Sequence, residues 1–143
     1  MNVETIIKRK GTTVVTIRPG MTIAEAAALL RQKEIGAIVV SDNGREVDGI
    51  LSERDIVHAL ADRGAALLTL PVSALMTRRV FTCDYHDTIA DLARMMTDRR
   101  IRHLPVVHDG VLRGIISIGD VVKNRLDEVE HEASSLRDFI VNA

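Results

Sequence analysis

The feature that most constrains this chain is an internal duplication. The stretch D-G-I-L-S-E-R-D at positions 48–55 recurs 65 positions later as R-G-I-I-S-I-G-D at 113–120. Residues 14–44 also align with residues 80–110 at an offset of 66 positions. This period is longer than the roughly 20–50 residues of common solenoid repeats. We therefore expect two similar units packed face to face, with two equivalent clefts.

The composition bounds the fold and excludes several functions. The 143 residues fit one compact domain, and they are 46% apolar but only 2% aromatic, so the core must be aliphatic. Few rings are available to stack on single-stranded nucleic acid, and a net charge of −1 offers no basic field for a nucleic-acid backbone. There is no apolar run of membrane-spanning length and no apolar core of a signal peptide. With its single cysteine, Cys83, the chain is expected to be cytoplasmic, with no membrane or nucleic-acid partner.

Hydrophobic periodicity predicts the order strand, helix, strand, strand, helix in each copy. In the first copy, strands are expected at 12–17, 35–40 and 47–51, with helices after Thr22 and from Ser52. In the second copy, strands are expected from Val80, at 101–107 and at 111–116, with helices after Thr88 and from Ser117. Thr22 with Glu25, and Thr88 with Asp91, have the spacing of a capping box. The turns at 42–44 and 108–110 favour hairpins.

The predicted organisation is a mixed α/β (α+β) fold of two repeats followed by a C-terminal helix. Repeat 1 is placed at 12–63, a linker at 64–79, repeat 2 at 80–124 and the C-terminal helix at 125–143. In that helix, apolar residues are spaced 3, 4, 3, 4 like the a/d seam of a coiled coil: Leu126, Val129, Ala133, Leu136 and Ile140. Such a helix packs either on a partner or back on its own domain.

Two interpretations compete for the repeated S-x-x-D segments, Ser52 to Asp55 and Ser117 to Asp120. In the first, Ser is a helix N-cap and Asp accepts backbone N–H groups, which alone explains the spacing. In the second, the helix N-terminus is a polar-ligand site, and the carboxylate accepts two hydrogen bonds from a ribose diol. Taken alone, the segments favour the cap.

Basic residues distinguish the second copy from the first. Arg102 and His103 replace Gly36 and Ala37 within a strand otherwise suited to burial. A guanidinium and an imidazole beside a cleft suit a phosphate. The two clefts are therefore not expected to bind alike.

No motif indicates catalysis or a metal. The chain has no phosphate-binding G-x-x-x-x-G-K-[ST], no G-x-G-x-x-G, no H-E-x-x-H and no paired cysteines. Cys83 and His86 stand in C-x-x-H without a second pair of ligands, so no metal site is predicted.

The motifs resemble those of tandem cystathionine-β-synthase (CBS) domain pairs, or Bateman modules, of the stand-alone bacterial type. The resemblance covers residues 12–123 and rests on G-I-[LI]-S-x-x-D at 49–55 and 114–120, I-R-H-L-P-V-V at 101–107 and S-A-L-M-T at 73–77. It implies two β-α-β-β-α repeats related by a pseudo-twofold axis, two clefts between them, a disk-like homodimer and adenine nucleotides as ligands.

The resemblance also implies which residues bind the nucleotide. Asp55 and Asp120 would hold ribose hydroxyls, and Arg102 and His103 would contact phosphate. The clefts would be built from both repeats, one from Thr12, Val15, Ile35, Gly36, Ala37, Ser117 and Asp120, the other from Ser52, Arg54, Asp55, Thr77, Val80, Phe81, Arg102, His103 and Pro105. Because Gly36 and Ala37 carry no charge, the first cleft is expected to bind a neutral group or nothing.

These observations together predict a non-enzymatic regulatory module without a catalytic cofactor. Its expected ligand is AMP, ADP, ATP or NAD(H), and its downstream protein target is not named by the sequence. The alternative is a structural dimerisation module whose clefts bind no nucleotide.

Overall fold

The computed structural model of the chain describes residues 1–11 and 13–142, so Thr12, predicted to open the first strand and to line a cleft, and Ala143, predicted to end the last helix, lie outside it. Five α-helices and two small sheets lie within these ranges. In chain order the elements are α1 (Val3–Lys10), β1 (Thr16–Ile17), α2 (Ile23–Lys33), β2 (Ala37–Val40), β3 (Gly49–Ser52), α3 (Glu53–Arg63), 3₁₀ turns at Gly64–Thr69 and Val72–Ala74, α4 (Ile89–Arg99), β4 (His103–His108), β5 (Val111–Ser117) and α5 (Ile118–Asn142). The predicted mixed α/β fold is confirmed. No helix in the described ranges combines the length and apolar character needed to cross a membrane.

The chain divides into two compact units. Residues 13–81 and 108–112 form the first-repeat unit. Its sheet has the order β1-β2-β3, with β1 parallel to β2 and β2 antiparallel to β3. Because β2 is buried along its whole length, all four of its residues are apolar. The core joins aliphatic side chains of both helices and the sheet, including Ile17, Ile23, Leu30, Ile38 and Leu51.

Residues 1–11, 82–107 and 113–142 form the second-repeat unit. Its core includes Ile89, Leu92 and Met96 from α4, Leu104 and Val106 from β4, and Ile116 from β5. The β4–β5 hairpin turns at Asp109 and Gly110, whose φ angles are 53° and 73°. Positive φ at both central residues is typical of the type I′ turn, so the predicted hairpin is confirmed.

An N-terminal helix that the sequence analysis did not predict completes this unit. Val3, Ile6 and Ile7 of α1 are buried in the same core as α4 and β4. Their spacing at i, i+3 and i+4 forms one apolar face, and Asn2 caps the helix by accepting a hydrogen bond from the Thr5 N–H at 3.0 Å. The signal was therefore present in the sequence, although it covers only two turns.

The first strand of each repeat is shorter than predicted. The 12–17 strand is reduced to β1, and the strand expected from Val80 is reduced to a single bridge between Cys83 and Val106. Next to that bridge stands Pro105, which has no N–H to donate to a strand preceding Cys83, so the parallel ladder ends there. The first repeat has Val39 at the equivalent position, and its ladder extends over two residue pairs.

Candidate functional site

The first S-x-x-D segment connects β3 to α3. The Oγ of Ser52 accepts a hydrogen bond from the Asp55 N–H at 3.2 Å, and Oδ2 of Asp55 accepts one from the Ser52 N–H at 2.9 Å. These are the two reciprocal hydrogen bonds of a capping box. The capping interpretation of this segment is confirmed.

The cap occupies only one oxygen of the Asp55 carboxylate. Across residues 1–11 and 13–142, Oδ1 receives no hydrogen bond, and no cationic nitrogen lies within 4.0 Å of the carboxylate. Asp55 is half-buried at a helix N-terminus, where aligned N–H groups favour negative charge and polar ligands. The cap therefore leaves one carboxylate oxygen available to accept a hydrogen bond from a ligand hydroxyl.

The second S-x-x-D segment forms the same cap between β5 and α5. The Ser117 N–H donates to Oδ2 of Asp120 at 2.9 Å, and the Asp120 N–H donates to Oγ of Ser117 at 3.2 Å. The Ser117 hydroxyl also donates to Oδ2 of Asp120 at 3.0 Å. Capping alone accounts for the presence of S-x-x-D in both repeats.

Lys10 distinguishes the second segment from the first. Its Nζ lies 2.6 Å from Oδ2 of Asp120 and donates to the Ile115 carbonyl at 2.8 Å. Burial raises the pKa of Asp120, but the hydrogen bond and charge of Lys10 and the hydrogen bonds from Ser117 outweigh burial and leave that pKa below its ordinary value. The Asp120 carboxylate is thus held ionised by an ammonium group from the same chain.

The glycine that begins each G-I-[LI]-S-x-x-D motif lies where another segment of the chain closely approaches its backbone. A Cβ on Gly49 would lie 2.7 Å from Sδ of Met76 and 2.9 Å from the Thr77 carbonyl oxygen, because Thr77 bridges to β3. A Cβ on Gly114 would lie 2.5 Å from Cδ1 of Ile7. The first glycine makes room for the segment that follows the 3₁₀ turns, and the second makes room for α1, the helix that carries Lys10.

The positions preceding β2 and β4 lie next to the two helix starts. The Glu53 N–H donates to the Gly36 carbonyl at 3.0 Å, and the Ile118 N–H donates to the Arg102 carbonyl at 2.8 Å. Within each unit, the residue that differs between the repeats is thus hydrogen-bonded to the first residue of the S-x-x-D helix. Arg102 is exposed. Its predicted role in phosphate binding, together with His103, stays a prediction.

The remaining predicted site residues differ in exposure. Ala37 and Pro105 are buried, Val15, Ile35, Gly36, Val80 and His103 are half-buried, and Arg54, Thr77 and Phe81 are exposed. An open cavity of about 450 Å³ in the first-repeat unit lies beside Ile35, Gly36 and Glu53, without the side chains of Ser52 or Asp55. The site residues missed by the sequence analysis are Lys10 and Ile7.

Cys83 is a structural thiol. It is buried, and burial together with the charges of Asp87 and Asp84 raises its pKa to about 12, so the thiol stays protonated at neutral pH. Among residues 1–11 and 13–142, no group of three or more His, Cys, Asp or Glu side chains is placed to hold a metal ion.

Comparison with known proteins is consistent with this architecture. The family model described as "CBS domain" matches residues 4–62 and 72–127. The CBS domain-containing protein YhcV of Bacillus subtilis is 35% identical over 128 residues, which cover 90% of this chain and 89% of that protein. The crystal structure of the CBS-domain containing protein ATU1752 of Agrobacterium tumefaciens superimposes with a TM-score of 0.84 at 48% identity, covering 87% of this chain and 99% of that one.

A third similar structure carries ligands. The CBS domain pair of protein MJ0100, solved in complex with 5′-methylthioadenosine and S-adenosyl-L-methionine, has a TM-score of 0.78 and 25% identity, covering 90% of this chain and 98% of that one. Two matches of the family model, each spanning one repeat, establish a tandem pair. The chain belongs to the CBS-domain family, whose domain pairs are regulatory rather than catalytic modules.

Proposed function

We propose that this chain is a regulatory module that senses an adenine nucleotide, namely AMP, ADP, ATP or NAD(H), through the Ser52–Asp55 segment. The observation that carries the proposal is the half-buried Asp55 carboxylate, which in the described ranges has an Oδ1 without a partner and no cationic nitrogen within 4.0 Å. A ribose diol supplies O–H donors for such an oxygen, and charge-assisted hydrogen bonds of this kind are strong. All the proposed ligands share that ribose.

The similar MJ0100 structure supports an adenosine-containing ligand in general. This chain carries Arg102, an exposed arginine immediately before β4. Arginine pairs with phosphate through two parallel hydrogen bonds. We assign phosphate recognition to Arg102, with His103 beside it, and on that ground favour a phosphorylated ligand over an uncharged adenosine derivative.

The Asp120 segment is proposed not to bind ligand in the resting protein. Oδ2 of Asp120 already receives the Ser117 N–H, the Ser117 hydroxyl and the Lys10 ammonium. The ammonium neutralises the carboxylate, so a ribose hydroxyl at Oδ1 would gain a weaker charge-assisted hydrogen bond than at Asp55. One nucleotide per chain is the expected stoichiometry.

Oligomeric state, location and target are also proposed. A homodimer is proposed because α5 leaves an apolar seam exposed, and a cytoplasmic location because Cys83 is a free thiol. The module is proposed to be non-enzymatic and to act on a protein target through ligand occupancy.

One alternative has an observation in its favour. Capping boxes at Ser52 and Ser117 explain both S-x-x-D segments without any ligand, which favours a structural dimerisation module. The two functions differ in one measurable respect, because a structural module gains no stability from nucleotides.

A thermal-denaturation panel distinguishes them. The purified chain is heated with AMP, ADP, ATP, NAD, 5′-methylthioadenosine or S-adenosylmethionine, with GMP as the base control. A ligand at about 100 times its Kd adds about 2.7 kcal/mol to the free energy of unfolding and raises Tm by several degrees. We expect at least one phosphorylated adenine ligand to raise Tm. A panel in which no ligand raises Tm contradicts the proposal and favours the dimerisation module.

A further inference from the structure

Among residues 1–11 and 13–142, the second half of α5 is the longest continuously exposed stretch of helix. Val121 and Asn124 are the buried residues of this helix, and from residue 129 to residue 142 every residue is exposed. A helical segment of this length is marginal in water by itself. We therefore expect this part of the helix to be stabilised by packing against another surface.

The exposed segment carries a continuous apolar seam. Leu126, Val129, Leu136 and Ile140 are 57%, 48%, 60% and 66% exposed, and Ala133 lies between them on the same face. The spacing of 3 and 4 places these residues at alternating a and d positions of a heptad. A seam of this kind is suited to another helix with the same spacing.

The charges beside the seam are complementary when that helix is a second copy of α5 in parallel orientation. Counting Leu126 as position a puts Arg125 and Glu132 at g and Glu130 and Arg137 at e. In a parallel pair, each g residue faces the e residue five positions later on the other helix. Arg125 then faces Glu130 of the second copy, and Glu132 faces Arg137 of the second copy, so the charges are opposite in both pairs.

Antiparallel arrangements of the same seam are less complete. Antiparallel helices bring e residues against e and g residues against g. When Leu126 lies opposite Leu136, Glu130 faces Glu130 and Glu132 faces Glu132; when Val129 lies opposite Ile140, Glu130 faces Arg137. Each of these alignments pairs only four of the five seam residues with one another, whereas the parallel alignment pairs all five and places opposite charges at both g–e positions. Exposed ion pairs add little affinity, but opposed like charges set orientation.

We propose that residues 125–142 of α5 form a parallel two-stranded coiled coil with the same segment of a second copy of this chain. The interface contains no residue of the Ser52–Asp55 segment. Two heptads make it a short contact that fixes how two copies are oriented. Its seam is Leu126, Val129, Ala133, Leu136 and Ile140.

Cysteine cross-linking tests the orientation directly. In Leu136→Cys, a parallel pair brings the two new thiols opposite each other at a d position, within the reach of a disulfide. Ser135→Cys places a thiol one residue away on the outer face and is the matched control. The native Cys83 stays silent, because it is buried and its thiol pKa is raised to about 12. Under mild oxidation, we expect Leu136→Cys to form a covalent dimer and Ser135→Cys to remain monomeric on a denaturing gel.

Charge reversal tests the reason for the orientation. In the Leu136→Cys protein, Glu132→Arg places an arginine opposite Arg137 of the second copy, and symmetry repeats this contact once. Because like charges then face each other, cross-linking should slow about tenfold. Adding Arg137→Glu restores opposite charges and should restore the rate. Three results would overturn the proposal. They are no cross-linking in Leu136→Cys, equal cross-linking in Ser135→Cys, and cross-linking of Leu126→Cys with Leu136→Cys in a mixture, which requires antiparallel helices.

Discussion

The Ser52–Asp55 and Ser117–Asp120 segments have the same cap but different neighbours. Both aspartates accept a serine N–H through Oδ2 at 2.9 Å and start a helix in the same way. Only Asp120 also meets an ammonium, that of Lys10 on α1. The cap stabilises a helix start in each repeat, whereas the other contacts of the carboxylate differ between the repeats. Repetition of a motif therefore does not imply repetition of its ligand capacity.

The largest effect should come from filling the glycine that begins each motif. Gly49→Ala forces a Cβ to within 2.9 Å of the Thr77 carbonyl oxygen, a backbone atom that cannot move alone. We expect a loss of about 1–3 kcal/mol in the free energy of unfolding, measured by chemical denaturation.

Gly114→Ala is the matched variant in the second repeat. Its Cβ meets Cδ1 of Ile7, the end of a flexible side chain. The loss of stability caused by Gly114→Ala should be smaller than that caused by Gly49→Ala. Combining Gly114→Ala with Ile7→Val, which removes Cδ1, should relieve the close contact. A larger loss in Gly114→Ala would mean that α1 is the more rigid neighbour.

The next effect concerns phosphate recognition. Arg102→Ala should lower AMP affinity about tenfold, or about 1.4 kcal/mol, because a bidentate guanidinium–phosphate contact is lost. Adenosine, which has no phosphate, should lose far less. Calorimetric titrations of both ligands into both proteins give the comparison. Equal losses for AMP and adenosine would show that the mutation distorts the site and that Arg102 does not hold phosphate.

The smallest effect on stability should come from removing the ammonium that distinguishes the segments. Lys10→Met breaks a partly exposed ion pair with Asp120 and should cost less than about 1 kcal/mol. The same variant should raise the adenosine stoichiometry from one to two per chain, because the Asp120 carboxylate becomes accessible. Lys8→Met is the control, since Lys8 is on the same helix and pairs with Glu4. A fall in affinity in Lys10→Met would instead make Lys10 a ligand contact.

The Lys10 contribution should also depend on pH. The pKa of Asp120 in the folded chain is lowered from 3.8. A lowered carboxylate pKa contributes stability that is present above the unfolded value and is lost as pH falls through the folded value. The stability difference between the wild type and Lys10→Met should therefore be constant near neutral pH and disappear below pH 3.8.

Local patterns allowed much of the fold to be predicted. The capping boxes at Thr22 and Thr88 form as their spacing indicates, with Glu25 and Asp91 as the reciprocal partners. The signals are short-range, so a single sequence contains all of the information. The strand expected from Val80 was predicted wrongly, because Pro105 cannot donate a hydrogen bond to a parallel ladder at that point.

The contacts that define the second segment could not be predicted. Lys10 and Asp120 are 110 positions apart, and the basic run at 8–10 reads equally well as a solvated surface. Docking of α1 depends on Ile7 fitting over Gly114, a tertiary complementarity that periodicity does not encode. The difference in charge between the two carboxylates is likewise a property of the folded surroundings, because both segments contain the same Ser and Asp and only Asp120 has Lys10 beside it.

The most direct test of the account compares the two aspartates. AMP is titrated by calorimetry into Asp55→Ala, Asp120→Ala and Asp91→Ala, the last of which removes a capping aspartate outside both segments. Each variant should lose about 1 kcal/mol of stability as a cap. Only Asp55→Ala should lose AMP affinity, by about 1.5–3 kcal/mol, while the other two bind as the wild type does. Unchanged affinity in Asp55→Ala, or a loss confined to Asp120→Ala, would contradict the account.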